Sequence, residues 1–233
     1  MRFAGLAAVV VAWFVIAPHT GGLPLWPDVL LVSFVVMPVT LLLVPLALPL
    51  ATKRWLWVAT IWLALAAFGF SEAGWGLAAN FAKLWAAVFA GWAFLAVFEQ
   101  LSWVVIVALI IPFVDAISVW KGPTHSITAH HFHVYQDVAI AFLVPAGRAA
   151  YLGPPDILFY ALFLAAAERW HLRVWRTWIA TTLMYGLTIV IATAVHVGGL
   201  PALPFLSFGF LVANGDLLWT RLRPPAASSP AQS

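Results

Sequence analysis

Apolar residues run along the chain in eight long segments that are separated by short polar stretches. The segments are residues 3–18, 28–51, 55–70, 77–98, 101–120, 154–168, 177–195 and 201–219. Most approach the roughly 20 residues that a helix needs to cross the hydrocarbon core of a bilayer, although the first and the sixth are shorter. Apolar and polar residues do not alternate within them, as a membrane β-barrel would require. The pattern predicts an all-α, polytopic bundle of about eight transmembrane helices.

Composition supports a membrane environment and excludes several kinds of site. Hydrophobic residues make up 64% of the chain and charged residues only 8%, whereas a soluble domain carries about 25% charged residues. Several of the 14 tryptophans flank apolar segments, which is where membrane interfaces favour them. No basic stretch interleaved with aromatic residues suggests a nucleic-acid partner, so the lipid bilayer is the expected surrounding. The absence of cysteine excludes disulfides, thiolate metal sites and cysteine catalysis.

We predict a single transmembrane domain over residues 1–223. Residues 1–100 supply N-terminal helices, residues 101–223 carry the candidate chemistry, and the Pro/Ala/Ser-rich residues 224–233 are predicted to be disordered. The first segment resembles a signal peptide but lacks a convincing cleavage site, so we interpret it as a retained helix. The shorter apolar stretch 138–147 fits a re-entrant piece, an extended strand or the start of a longer sixth helix.

The distribution of Arg and Lys predicts the orientation. With eight spans and a cytoplasmic N-terminus, two basic residues, Lys121 and Arg148, lie on the outer side. The cytoplasmic side then holds Arg2, Lys53, Arg54, Arg169, Arg173, Arg176, Arg221 and Arg223. Because cytoplasmic loops of membrane proteins are enriched in Lys and Arg, this bias predicts a cytoplasmic C-terminus.

Two carboxylates lie inside apolar segments, where ionisable groups are costly and usually functional. Asp115 precedes Trp120 by five residues, and Asp156 follows Tyr151 by five. Each is therefore roughly 7–8 Å from the same membrane face at about 1.5 Å rise per residue, since one loop joins the two segments. The spacing predicts that the two side chains could meet.

Two facing carboxylates in a low-dielectric site share a proton, because both cannot ionise easily. Such a pair serves as general acid and general base on a water molecule, which is how aspartic proteases hydrolyse peptides without a cofactor. The pair titrates as a unit, so neither Asp receives a separate role. The alternative is structural: Asp156 after Pro154 and Pro155 could simply stabilise a helix N-terminus.

Three stretches resemble the presenilin and signal peptide peptidase family of intramembrane aspartyl proteases. Val-Asp-Ala-Ile-Ser-Val-Trp-Lys-Gly-Pro at 114–123 is similar to the Tyr-Asp segment of the family's sixth helix. Leu-Gly-Pro-Pro-Asp-Ile-Leu-Phe-Tyr at 152–160 resembles the Gly-x-Gly-Asp segment of its seventh helix. Leu-Pro-Ala-Leu-Pro-Phe-Leu-Ser-Phe-Gly at 200–209 resembles the Pro-Ala-Leu segment that opens its ninth helix. The similarity covers roughly residues 101–220.

The resemblance implies a presenilin-like fold in a prokaryotic cell membrane, with Asp115 and Asp156 as the catalytic pair. It implies nine helices, so one could be missing or hidden within 23–51. It also implies that residues 148–152 and the Pro-Ala-Leu loop clamp an unwound substrate, either a transmembrane segment or a remnant signal peptide. The expected substrate-binding residues are Gly153, Leu200, Pro201, Ala202 and Leu203.

The chain departs from the family pattern at two positions. Val114 replaces the tyrosine before the first Asp, and Pro155 replaces the glycine before the second. Two other readings therefore stay open: an inactive relative that binds membrane helices, and a transporter or channel that uses the same Asp residues as a proton or cation relay.

A histidine cluster offers a rival chemistry. Its members are His125, His130, His131 and His133. Histidine is the commonest metal ligand, but the nearest downstream carboxylate is Asp137, outside the cluster. We expect a solvated, pH-sensitive loop and no metal cofactor. Further polar residues could pair within the bundle, and we assign them no role: Glu72, Asn80, Lys83 and Glu99.

Overall fold

The computed structural model describes residues 2–121, 132–197 and 200–222, and these residues are mostly helical. The helices are α1 Arg2–Ile16, α2 Leu25–Leu31, α3 Met37–Leu41, α4 Leu43–Ala47, α5 Leu56–Glu72, α6 Gly76–Leu95, α7 Leu101–Lys121, α8 Phe132–Val138, α9 Pro154–Arg169, α10 Val174–Ala194 and α11 Leu203–Leu222. A single hairpin in the described residues consists of strands β1 Ile140–Leu143 and β2 Ala149–Leu152.

Six helical segments of the described chain are long and apolar enough to cross a membrane. They are Arg2–His19, Leu25–Leu50, Gly76–Leu95, Leu101–Val119, Val174–Ala194 and Leu203–Leu222. Helices α5 and α9 are shorter, with 17 and 16 residues. The prediction of a mostly helical protein with several helices able to cross a membrane is thus confirmed.

The segment Leu25–Leu50 is one interrupted rod of 26 residues. A π-helical turn at Val32–Val36 links α2 to α3, and α3 and α4 are short. Prolines at positions 38 and 45 explain part of the irregularity, since proline lacks the N–H that continues a helix. The segment is long and apolar enough for one crossing.

Helix α9 occupies the centre of the bundle. Every residue from Tyr160 to Ala167 is buried, and α9 packs closely against α6. At the crossing, a Cβ added to Gly91 of α6 would lie 2.2 Å from the carbonyl oxygen of Leu158. Only glycine permits this approach, which is the usual way that membrane helices pack tightly. The short helix that carries Asp156 is therefore held rigidly by its neighbours.

Contacts define two ends of the bundle. At the hairpin end, β1 is hydrogen-bonded to the last turn of α1 and to the first turns of α6. At the arginine end, Arg169 donates to the carbonyl of Leu95 at 3.1 Å, and Arg173 forms two 2.6 Å hydrogen bonds with Asp216. Asp115 and Asp156 lie toward the hairpin end, at the last turns of α7 and the first turn of α9.

The hairpin resolves the open interpretation of residues 138–147. Ile140 pairs with Leu152 and Leu143 with Ala149 in an antiparallel register. Of the three possibilities for this stretch, the extended strand is the one observed. A chain of helices therefore contains one small β-element, and it leads directly into Gly153 and Asp156.

Candidate functional site

Asp115 lies three residues after Pro112, inside helix α7. Its side chain is half-buried, whereas the neighbouring Val114 is 53% exposed. Its Oδ2 atom accepts a hydrogen bond of 3.0 Å from the backbone N–H of Leu203. Val114 therefore lies on a different face of the helix from the contact that Asp115 makes with α11.

Leu203 is the first residue of helix α11 and the last of the Pro-Ala-Leu motif. The first N–H groups of a helix have no partner inside the helix. They form the positive end of the helix dipole, which attracts a carboxylate. Pro201, Ala202 and Leu203 are all buried, and Leu200 is half-buried. The structure thus brings Asp115 together with the predicted Pro-Ala-Leu residues across 88 positions of sequence.

Asp156 stabilises the N-terminus of α9. The backbone N–H of Gly153 donates to its Oδ2 at 3.0 Å, and its own N–H bonds to the carbonyl of Gly153 at 3.1 Å. Pro154 and Pro155 occupy the first two helical positions, where a missing N–H removes no helical hydrogen bond. Pro155 is therefore compatible with this backbone. Asp156 stabilises the helix start, and its side chain is nevertheless only half-buried, so it can also take part in chemistry.

The carboxyl groups of Asp115 and Asp156 are close enough for a Coulombic interaction between them. Both also interact with the phenol of Tyr135, on helix α8 outside the spans. Burial raises the pKa of Tyr135 well above its usual value, and the two carboxylates, Asp156 more than Asp115, add to the shift. A neutral hydroxyl and two carboxyls thus lie in one region.

Helix α8 is fixed in place by α6 and β2. Lys83 of α6 donates to the carbonyl of Asp137 at 3.1 Å, and Gln136 donates to the hydroxyl of Tyr151 at 3.2 Å. Asp156 is also anchored by α10, because the buried Tyr185 hydroxyl donates to its backbone carbonyl at 2.6 Å. Hydrogen bonds from α6, β2 and α10 thus hold the elements that carry Tyr135 and Asp156.

The outer edge of β1 is covered by side chains. Asn80 Nδ2 donates to the carbonyl of Ala141 at 2.9 Å, while the N–H of Ala141 donates to Asn80 Oδ1 at 2.8 Å. Trp13 donates its indole N–H to the carbonyl of Leu143 at 2.9 Å. Along an antiparallel strand, residues alternately direct their backbone groups toward the partner strand and away from it. Ala141 and Leu143 direct theirs outward, to Asn80 and Trp13. Their cross-strand partners Tyr151 and Ala149 therefore direct their N–H and C=O groups to the outer edge of β2.

The hairpin loop is tied to the start of the second apolar segment. Arg148 forms an ion pair with Asp28, which is 4% exposed, and donates to the carbonyl of Leu23 at 2.6 Å. The geometry around Asp28 is that of an ion pair rather than a directed hydrogen bond. A further bond joins the N–H of Ala146 to the carbonyl of Thr20 at 3.1 Å.

Reasoning from sequence missed several residues that shape the site. Asn80 and Lys83 received no role, and Trp13, Tyr135 and Tyr185 were not singled out. A polar residue isolated on an apolar helix was the available signal for Asn80 and Lys83. The partners of both are backbone groups of distant segments, which no local motif identifies.

The predicted histidine cluster falls mostly outside the described residues. His125, His130 and His131 lie there, and the side chain of His133 is also not described; residues 223–233, including the predicted tail, lie outside as well. Within the described ranges, no three His, Asp or Glu side chains are grouped so that they could hold a metal ion. Comparison with known proteins adds no assignment: no family model, curated protein or solved structure matches the chain.

Proposed function

We propose that this chain is an intramembrane aspartyl endopeptidase with Asp115 and Asp156 as its catalytic pair. The observation that supports this most is the convergence of three distant segments. Asp115 of α7 accepts a hydrogen bond from Leu203 of the Pro-Ala-Leu motif, and helix α9, which begins with Asp156 in its first turn, contacts both α7 and α11. These are the three stretches that resemble presenilins and signal peptide peptidases.

We further propose eight antiparallel crossings in a presenilin-like arrangement. Successive segments connect the hairpin end and the arginine end alternately, and α5 and α9 complete the set despite their 17 and 16 residues. At about 1.5 Å per residue these two helices are about 24–26 Å long, which suits a locally thin bilayer. The positive-inside rule then makes the arginine end cytoplasmic and the hairpin end external.

Hydrolysis would proceed through a water held between the two carboxyls. One carboxylate takes a proton from the water while the water oxygen attacks the carbonyl carbon of the substrate. The protonated partner gives its proton to the carbonyl oxygen. The resulting gem-diol collapses as the C–N bond breaks: the carboxylate takes a proton from one hydroxyl of the diol, and the protonated carboxyl gives its proton to the leaving nitrogen. The two Asp residues exchange roles as a unit, and the mechanism requires no cofactor.

A substrate would reach the pair as an extended strand, because a helix hides its carbonyls in hydrogen bonds. The outer edge of β1 is covered by Asn80 and Trp13, so strand addition would occur at β2, directly before Gly153. The buried Pro201 and Ala202 and the half-buried Leu200 would form the opposite wall, with Leu203. The proposed substrates are transmembrane segments or remnant signal peptides with a cytoplasmic N-terminus.

The proposal is tested by cleavage of a transmembrane peptide by the purified protein in detergent. Asp115→Asn and Asp156→Asn should each abolish cleavage while the helical content is unchanged. Asp137→Asn is the matched control, since Asp137 is an exposed carboxyl at the same end of the bundle and should retain turnover close to that of the wild type.

Two outcomes would overturn the assignment. Near-wild-type turnover in either Asp115→Asn or Asp156→Asn would remove the catalytic pair. No cleavage of any transmembrane peptide by the wild type, together with proton-coupled solute flux in liposomes that both variants lose, would assign the same carboxyls to transport.

A further inference from the structure

A large cavity lies at the arginine end, remote from the two carboxyls. It has a volume of about 680 Å³ between the start of α5 and the ends of α6 and α9, a size typical of small-molecule sites. Asp156 is in the first turn of α9 and Arg169 is its last residue. At about 1.5 Å per residue, some 20 Å of helix separates them. The cavity therefore belongs to no part of the proposed catalytic site.

The rim of the cavity is basic. Lys53, Arg54 and Arg169 line it with His171, and Glu168 is the acidic residue among the lining residues. Three positive groups thus face one negative group. Among residues 2–121, 132–197 and 200–222, none of the three cations forms an ion pair. An anion bound at the rim would neutralise positive charge that no ion pair within the described residues compensates.

The part of the rim formed by Arg169 and His171 is positioned by several contacts. The guanidinium of Arg169 lies 4.8 Å from the centre of the Trp170 ring and uses one N–H on the carbonyl of Leu95, and an Arg side chain carries five such donors. Arg221 donates to the backbone carbonyls of Trp170 and His171. His171 itself has a left-handed φ of 49°. Preorganised groups of this kind lose little entropy when a ligand binds.

Part of the cavity wall is apolar. Trp92 lines it with a side chain that is 1% exposed, and its indole Nε1–H has no hydrogen-bond partner among the described residues. Trp57 of α5 also lines the cavity and is 50% exposed, so the cavity is open beside α5. Ala93 and Ala96 line the cavity as well, and with Trp57 they form its apolar path.

We propose that this cavity binds one anionic phospholipid. Its phosphate contacts Lys53, Arg54 and Arg169, and an acyl chain follows the apolar path past Trp57. Basic pockets between transmembrane helices at the cytoplasmic side are suited to such headgroups. A zwitterionic lipid fits less well, because its cationic headgroup would face the same basic rim. The proposal is independent of the proteolytic function.

Native mass spectrometry of the purified protein tests the site with phosphatidylglycerol and phosphatidylcholine. The wild type should retain one phosphatidylglycerol more tightly than phosphatidylcholine. Arg54→Gln should weaken phosphatidylglycerol binding about fivefold, the change that corresponds to about 1 kcal/mol per basic residue at an anionic membrane. Arg176→Gln is the matched control, because Arg176 is exposed at the same end but does not line the cavity.

A steric variant separates the cavity from general surface charge. Ala96→Trp keeps every basic residue but fills the apolar path, so it should displace both lipids. Equal retention of the two lipids by the wild type, or equal losses in Arg54→Gln and Arg176→Gln, would overturn the proposal. Thermal stabilisation by inorganic phosphate equal to that by phosphatidylglycerol would also overturn it, because the site would then take a free anion.

Discussion

The bonds between Asn80 and Ala141 should determine how firmly the hairpin is held beside Asp156. Asn80 is 8% exposed and satisfies both the N–H and the C=O of Ala141, at 2.8 and 2.9 Å. Asn80→Leu keeps the approximate side-chain volume and removes both partners. Each buried backbone group left without a partner costs about 1–3 kcal/mol.

The expected magnitude follows from this geometry. Two orphaned groups would cost about 2–6 kcal/mol if nothing moved. The hairpin lies at the end of the bundle, so we expect partial relaxation and a value near 2 kcal/mol. That value corresponds to about 30-fold faster amide hydrogen exchange within residues 140–152, since exchange from local opening reports the local free energy.

Hydrogen exchange read by mass spectrometry measures the effect segment by segment. Asn214→Leu is the matched control, because Asn214 is also buried but bonds Thr177 and the carbonyl of Phe210 at the arginine end. The control should loosen that end and leave the hairpin unchanged. If Asn80→Leu exchanges within about twofold of wild type over residues 140–152, the side chain does not hold the hairpin and the reasoning is refuted.

Four further predictions follow from orientation, packing, titration and the proposed chemistry. A cysteine in place of Ser228 should react with an impermeant thiol reagent only after cells are permeabilised; labelling of intact cells would contradict a cytoplasmic C-terminus. Gly91→Ala overpacks the crossing of α6 and α9 and should lower the free energy of unfolding by about 1–3 kcal/mol. The melting temperature and the turnover should therefore fall together, and an unchanged melting temperature would contradict the tight crossing. Because the pKa of Tyr135 is raised in the folded protein, the unfolded chain loses this proton first as the pH rises. The stability of the wild type should therefore fall more steeply than that of Tyr135→Phe above about pH 10. Equal slopes would contradict the shift. Cleavage should survive EDTA and the combined His130→Ala, His131→Ala change, whereas loss in EDTA that one metal restores would indicate a metalloenzyme.

Helical periodicity and length explain why the general architecture could be predicted. Long apolar segments leave few alternatives to membrane helices, and the equal depth of Asp115 and Asp156 followed from counting residues from one shared loop. The bond from Leu203 to Asp115 could not be derived this way, because 88 positions separate the two residues and only the family resemblance linked their segments.

The parts that sequence reasoning left open depend on backbone partners. Residues 138–147 are too short and too uniformly apolar for periodicity to distinguish strand from helix, and the strand exists because β2, Asn80 and Trp13 satisfy its backbone. The roles of Asn80 and Lys83 were missed for the same reason. Their partners are carbonyl and amide groups, which every residue possesses and no side-chain pattern marks.

Binding of a transition-state analogue tests the catalytic pair most directly, since it requires no turnover. A transmembrane peptide whose scissile amide is replaced by a secondary hydroxyl presents that oxygen where the attacking water would lie, and such analogues bind about 10²-fold or more tighter than substrates. The account predicts tight binding to the wild type and loss of this advantage in both Asp115→Asn and Asp156→Asn, whereas the deoxy peptide binds all three proteins alike. Equal affinity of the wild type for the hydroxyl and deoxy peptides would contradict the claim that these two carboxyls hold the reacting water.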